Sequence, residues 1–122
     1  MVEKIGRSAL HRNAEKEWEY EMERRKANLG VNKLTITELR DIRNSLIEFA
    51  DFEERKRERN KMLEMEKKVE EAIRLKRKKT PTNLTIKDLN YLELFMRGYG
   101  MATEDERSYE IGERLRELGH SA

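Results

Sequence analysis

Histidine, cysteine and clustered carboxylates are the residues with which a short chain most often performs catalysis or binds a metal. This chain of 122 residues has no cysteine and two histidines, His11 and His120. The absence of cysteine excludes disulfides, thiolate zinc sites and a cysteine nucleophile. Glu117 and His120 have the Glu-x-x-His spacing of di-iron bundles, but such a site needs a second motif and two further inward glutamates. We therefore expect no enzyme, no metal site and no bound cofactor.

Charge dominates the composition, with 43% charged and 36% hydrophobic residues and a net charge of +2. Globular domains carry about 25% charged residues, so one domain of this composition buries little core unless it is elongated or completed by a partner. One proline and six glycines are too few turn residues for an all-β fold. The chain has neither a long apolar run nor a signal-peptide pattern, so we expect a cytoplasmic protein without a membrane partner or a small-molecule substrate.

An internal duplication is the most informative feature. The segment from Leu34 to Leu39 recurs fifty residues later, from Leu84 to Leu89. Each copy has the pattern of a helix N-terminus, in which a threonine hydroxyl caps free amides of the first turn. An acidic side chain three positions later can accept a hydrogen bond from the amide of that threonine. Apolar residues then follow at helical spacing in both copies. The duplication predicts helices that begin at residues 36 and 86.

The second copy predicts a helical hairpin over residues 84–118. Gly98 and Gly100 indicate the end of its first helix, because glycine tolerates the left-handed backbone of a C-cap. Thr103, three residues before Glu106, indicates a third capping box and a new helix.

The first copy predicts one long charged central helix over residues 36–79, since no glycine or proline interrupts it. A hairpin is the alternative, because residues 53–61 contain no apolar side chain. Upstream, Leu10, Ala14, Trp18 and Met22 recur every four residues and predict an amphipathic helix over 8–29, ended at Gly30. The expected fold is a single all-α domain over residues 1–122.

The segment Leu34 to Leu46, read Leu-Thr-x-x-Glu-Leu-x-x-Ile-Arg-x-Ser-Leu, resembles a pattern of small helical-hairpin proteins of bacteriophages and prophages. The resemblance covers about a tenth of the chain. It implies a non-enzymatic accessory protein that binds a host protein and redirects or inhibits it. No functional residues carry over, because that grouping has no shared site.

We expect protein–protein interaction, as an inhibitor or adaptor of a host protein or nucleoprotein machine, or through a homo-oligomer. Residues 80–122 are acidic overall, which suits a basic partner surface. The helix after residue 86 also has more apolar side chains than one stripe can bury, so Tyr91, Leu94 and Phe95 are either covered a second time within the chain or face another chain. Trp18 is likewise either an anchor between helices or an interface residue. The candidate interface residues are Tyr91, Leu94, Phe95, Trp18, Glu104, Asp105 and Glu106.

Two alternatives remain open. A basic-helix protein that binds DNA or RNA would use clusters that neutralise phosphates. These clusters contain Arg55, Lys56, Arg57, Arg59, Arg74, Lys76, Arg77 and Lys78. A self-assembling coiled coil would need an uninterrupted apolar seam, which the charged block 53–61 breaks.

Overall fold

A computed structural model describes the backbone of residues 2–121 and the side chains of residues 14–118. The described backbone forms α-helices and no β-strand, which confirms the predicted all-α class. The helices are α1 (Val2–Lys33), α2 (Ile36–Phe52), α3 (Lys56–Arg77), α4 (Ile86–Thr103) and α5 (Glu106–Ser121).

The two predicted capping boxes form as expected. The Glu38 amide donates to the Thr35 hydroxyl and the Thr35 amide to the Glu38 carboxylate, both at 3.0 Å. Thr85 and Asp88 make the same pair of bonds at 3.1 and 3.0 Å. These bonds satisfy amides that a helix N-terminus leaves free. Helices α2 and α4 therefore begin at Ile36 and Ile86, as the duplication predicts.

The predicted continuous helix over 36–79 is wrong, because the chain breaks between Phe52 and Lys56 and folds back as a hairpin. The amide and Nε of Arg55 donate to the Glu53 carboxylate at 3.1 and 3.0 Å. Arg59 Nε donates to the Glu53 carbonyl at 3.1 Å. Hydrogen bonds of these charged side chains therefore stabilise a turn that contains no glycine. The hairpin alternative is the correct one, and no seam runs through this region for a self-assembling coiled coil.

Burial of two apolar stripes explains the hairpin. Leu39, Ile42 and Leu46 of α2 and Met65 and Val69 of α3 are all 0% exposed. In one straight helix the two stripes lie too far apart along the axis to pack against each other. Burying apolar surface gains about 25 cal/mol per Å², so folding back outweighs the cost of a short turn.

The predicted end of α4 at Gly98 and Gly100 is also wrong, since the helix continues to Thr103. A Cβ at Gly100 would lie 2.5 Å from the backbone nitrogen of Tyr109, so this glycine permits close approach of α5. The C-cap residue of α4 is Glu104, which adopts the left-handed conformation with a φ of 56°.

The third capping box predicted at Thr103 does not form. The Thr103 hydroxyl donates instead to the Tyr99 carbonyl at 2.7 Å. Asp105 caps α5, accepting from the Arg107 amide at 3.2 Å and the Ser108 hydroxyl at 2.8 Å. The second hairpin was thus predicted correctly as a hairpin, with its turn moved toward the C-terminus.

The duplication extends into the second helix of each hairpin, where the sequence does not reveal it. Helices α3 and α5 begin at Lys56 and Glu106, again fifty residues apart. Met65 and its counterpart Leu115 are both buried. The repeated unit is therefore the whole hairpin, α2–α3 or α4–α5.

A basic side chain of each hairpin forms an ion pair with the carboxylate that caps the first helix of the other hairpin. Arg114 Nε of α5 lies 3.4 Å from the Glu38 carboxylate at the start of α2. Lys68 Nζ of α3 lies 3.3 Å from the Asp88 carboxylate at the start of α4. A cation near a capping carboxylate balances its charge while the carboxylate still accepts from the helix amides. The two hairpins therefore associate through reciprocal ion pairs.

Helix α1 docks on the bundle through its C-terminal end and does not stop at Gly30. Ala27 and Val31 are buried, and a Cβ at Gly30 would lie 3.4 Å from the Leu89 side chain. The predicted bounds 8–29 are wrong at both ends, because the helix begins at Val2 and Gly30 serves close packing within a helix that continues to Lys33.

Side chains from both hairpins cap the C-terminus of α1. Lys76 Nζ donates to the carbonyls of Val31 and Asn32 at 3.1 and 2.9 Å and also to that of Leu34. Arg114 donates to the Lys33 carbonyl at 2.6 Å. Cations at this position satisfy the last carbonyls and interact favourably with the helix dipole.

Candidate functional site

The part of α1 that precedes the docked end is largely exposed. On one side Tyr20, Glu23 and Arg24 line a cavity of about 210 Å³ with residues 82–85. From residue 14 to residue 26, every side chain is exposed except the half-buried Met22. A single helix in water gains little from propensity alone and normally depends on packing of its apolar face. This segment therefore presents its residues to solvent or to a partner.

An apolar stripe runs along the exposed side of α1. We call the set Ala14, Trp18, Met22 and Leu29 the α1 stripe. At about 100° per residue these four side chains lie within an arc of about 80°. The docked residues Ala27 and Val31 lie on the opposite side of the helix. The α1 stripe therefore faces away from the bundle, with Trp18 65% and Leu29 57% exposed.

The charges of α1 are divided along its length. Residues 15–23 contain five glutamates and one lysine, whereas residues 24–33 contain four basic residues and no acidic one. The predicted interface residue Trp18 thus lies in an acidic half-helix that is followed by a basic one. Sequence reasoning identified the stripe as far as Met22 but did not identify this division.

Of the three residues predicted to face another chain from α4, only Leu94 is exposed, at 68%. Tyr91 and Phe95 are half-buried and pack against the core. The Phe95 ring lies 5.9 Å from the Phe49 ring, edge to face, and 6.4 Å from the Tyr91 ring, stacked. For Tyr91 and Phe95 the structure favours burial within the chain over the predicted interface. Phe49 of α2 covers Phe95, and Lys61 of α3 lies over the Tyr91 ring with its Nζ 5.5 Å from the ring centroid.

Tyr99 completes this aromatic cluster, with its ring 5.9 Å from that of Phe49. Its hydroxyl donates to the Glu48 carboxylate at 2.7 Å. Burial, followed by this hydrogen bond, raises the pKa of Tyr99 to about 12. Burial also raises the pKa of Tyr91. The cluster holds α4 against α2 and offers no group that titrates near neutral pH.

The predicted acidic residues lie at the turn between α4 and α5. Glu104, Asp105 and Glu106 are all exposed. The Asp105 carboxylate is engaged as the cap of α5. Met101, 71% exposed, lines a shallow groove with Glu104 and Glu106. The structure thus brings an apolar side chain next to two of the predicted carboxylates.

The predicted basic residues are divided between the two ends of α3, and several are occupied within the chain. Lys76 caps α1, and burial lowers its pKa. Arg55 and Arg59 bind Glu53 in the turn, and Arg74 pairs with Glu71. Lys56, Arg57, Arg77 and Lys78 are exposed.

A basic groove between α2 and α3 was missed by sequence reasoning. Its volume is about 750 Å³, and its lining includes Arg40 and Arg43 of α2 with Lys67, Arg74 and Arg77 of α3. Glu70 and Glu71 also line it. The arginines of α2 join those of α3 only because the chain folds back between Phe52 and Lys56.

Among the described side chains, no three His, Asp or Glu residues lie close enough together to bind a metal ion. His11 and His120, and with them the Glu-x-x-His segment and the predicted stripe residue Leu10, lie outside the described side chains. None of the described helices has an apolar stretch sufficient to cross a membrane. The known protein families, curated proteins and solved structures compared with this chain include no match.

Proposed function

We propose that this chain is a non-enzymatic protein-interaction module and that the α1 stripe is its docking surface. The observation that carries the proposal is Trp18, 65% exposed within a segment, residues 14–26, in which only Met22 is half-buried. Large aromatic side chains bury much apolar surface and are enriched among the residues that dominate interface energetics. An exposed tryptophan within an apolar row therefore marks a docking surface more strongly than an isolated one.

A more specific form of this proposal is an inhibitor or adaptor that binds a host protein or nucleoprotein machine. Its support is the resemblance of residues 34–46 to small phage and prophage helical-hairpin proteins. The exposed carboxylates of Glu104 and Glu106 beside Met101 supply a second surface that would suit a basic target.

The test compares two aromatic residues of α1 in a pull-down from bacterial lysate. Trp18→Ala removes the stripe residue, and Tyr20→Ala is the matched control. Tyr20 is 62% exposed but lies on the opposite side of the helix. We expect a stoichiometric protein partner that survives nuclease treatment and is lost with Trp18→Ala only. Equal retention of every partner by both variants would contradict the proposal.

Nucleic-acid binding is the second candidate, favoured by the basic groove between α2 and α3. Arg40, Lys67 and Arg77 line it without an ion-pair partner among the described side chains. The logarithm of the binding constant for duplex DNA falls linearly with the logarithm of the salt concentration, with a slope of about −0.9 for each phosphate neutralised. Three to four such contacts predict a slope of about −3. Arg40→Ala should make this slope shallower, whereas Arg116→Ala on α5 should leave it unchanged. A salt-independent affinity would exclude this candidate.

A further inference from the structure

Building on the proposed function of the α1 stripe, we propose that its partner is a second copy of this chain, packed antiparallel along α1. Trp18 and Leu29 of the α1 stripe are exposed, and Met22 between them is half-buried. Arg25, Lys26, Leu29 and Lys33, on or beside the stripe at the docked end, are exposed. The bundle contacts the opposite side of α1 through Ala27 and Val31, and one flank through Asn28, whose Oδ1 accepts from the Thr82 amide at 2.8 Å. A second helix can therefore lie over Trp18 and Leu29 without displacing the bundle.

The division of charge along α1 determines the direction of packing. In a parallel pair the glutamates of residues 15–23 would lie beside the same glutamates of the second copy. In an antiparallel pair they lie beside the basic residues 24–33 instead. Like charges repel across such an interface, and opposite charges determine partner orientation and register. The charge distribution of α1 is thus complementary to that of a second α1 that runs in the opposite direction, as a two-fold symmetric interface requires.

Apolar and charged residues converge on the same register. When Trp18 is placed opposite Leu29 of the second copy, Met22 lies level with Arg25 of that copy. The aliphatic stem of an arginine can cover a methionine while its charged end stays in water. The α1 stripe is then covered along its length by residues of the same helix.

The flanks of the stripe agree with this register. Two-fold symmetry brings the same flank of each helix together, so Glu19 approaches Lys26 of the second copy and Glu21 approaches Arg25. None of these four side chains forms an ion pair within residues 14–118. All four are exposed and are therefore available to the second copy.

The oligomeric state of the full chain tests the proposal directly. Sedimentation equilibrium over a range of concentrations should give a monomer–dimer equilibrium. Trp18 is the only tryptophan, so its emission should shift to shorter wavelength as the dimer forms. We expect Trp18→Asp to raise the dimer Kd at least tenfold and Tyr20→Asp to change it less than twofold. A chain that stays monomeric, or a dimer unaffected by Trp18→Asp, would overturn the proposal.

Charge reversal tests the register. Glu19→Lys and Lys26→Glu should each raise the dimer Kd severalfold, and the double variant should recover most of the wild-type value. The chain has no cysteine, so single cysteines can be introduced without interference. A flexible bis-maleimide should link a chain carrying Glu19→Cys to one carrying Lys26→Cys. Preferential linkage of Glu19→Cys to itself would indicate parallel packing and overturn the antiparallel arrangement.

The outcomes separate this inference from the function on which it rests. If the chain is monomeric but Trp18→Ala still abolishes capture of another protein, the second copy is the wrong partner and the docking surface remains. If the chain is monomeric and Trp18→Ala changes no capture, both proposals fail.

Discussion

The hairpins α2–α3 and α4–α5 are two versions of one plan with different chemistry where their helices meet. Position 50 is a buried alanine in the first hairpin, and its counterpart, position 100, is a glycine. Met62 likewise corresponds to Gly112, where a Cβ would lie 2.5 Å from the Arg97 side chain. The first hairpin separates its helices with side chains, whereas the second brings its helices into backbone contact at these positions.

The turns differ in the same way. The first hairpin reverses through Glu53, whose carboxylate and carbonyl bind arginines. The second reverses through Glu104 in the left-handed region, followed by the Asp105 cap. What the two share is the capping box and the apolar spacing of the first helix. Helix starts and buried stripes therefore define this hairpin, while turn chemistry and interhelical distance vary.

The largest expected effect comes from making the second hairpin resemble the first at position 100. Gly100→Ala places a Cβ 2.5 Å from the Tyr109 backbone nitrogen, which no rotamer change can relieve. The overpacking should lower the free energy of unfolding by about 2–3 kcal/mol despite the better helix propensity of alanine. Chemical denaturation followed by circular dichroism measures this value. Unchanged stability would show that α4 and α5 are less closely packed than in the structure.

Lys68→Met breaks one of the two reciprocal ion pairs between the hairpins. Asp88 is buried, so it loses a charged partner without gaining full access to water. We expect a loss of about 1.5 kcal/mol. Lys67→Met is the matched control, because Lys67 is exposed and forms no ion pair within the described side chains. Equal effects of the two variants would contradict a specific role for the Lys68–Asp88 pair.

Tyr99→Phe makes α4 match Phe49, its counterpart in α2, and removes the hydrogen bond to Glu48. The expected cost is about 1 kcal/mol below pH 10. Because the folded-state pKa is raised from 10 to about 12, the contribution is complete below pH 10 and is lost as the pH rises through 12. Spectrophotometric titration of the wild type should show one tyrosine that ionises near pH 12 and that Tyr99→Phe eliminates. Tyr20→Phe should leave that titration step in place.

The smallest expected effect has the opposite sign. Gly98 lies inside α4, and a Cβ there would meet no atom within 4 Å. Gly98→Ala should therefore stabilise the chain by about 0.5–1 kcal/mol through helix propensity. The pair Gly98→Ala and Gly100→Ala separates a glycine without a packing role from one that the hairpin needs. Destabilisation by Gly98→Ala would indicate a contact that the described chain does not contain.

Sequence reasoning was most successful where a few adjacent residues determine the outcome. Thr35 with Glu38, and Thr85 with Asp88, defined two helix starts correctly, since the capping bonds are local. It was wrong about Gly30 and Gly100, because a glycine that ends a helix and one that permits close packing look alike in sequence. It placed Trp18 in a candidate interface but also placed Tyr91 and Phe95 there, because residues of α2 and α3 that cover these two rings are distant in sequence.

The basic residues show the same limit. Lys76 looks like part of a phosphate-binding cluster, yet its ammonium group binds carbonyls at the end of α1. Arg40 was not considered, yet it lies in the groove with Lys67 and Arg77. Contacts between residues distant in sequence decide which charges stay available.

The all-α class, the starts of α2 and α4 and the apolar stripes follow from the sequence alone, because capping bonds and helical periodicity act over a few residues. Tertiary packing establishes that residues 36–79 form a hairpin, that Gly100 is a packing position and that Trp18 and Leu29 of the α1 stripe stay exposed. These outcomes depend on how much apolar surface the whole chain can bury, which is a property of the packed helices together.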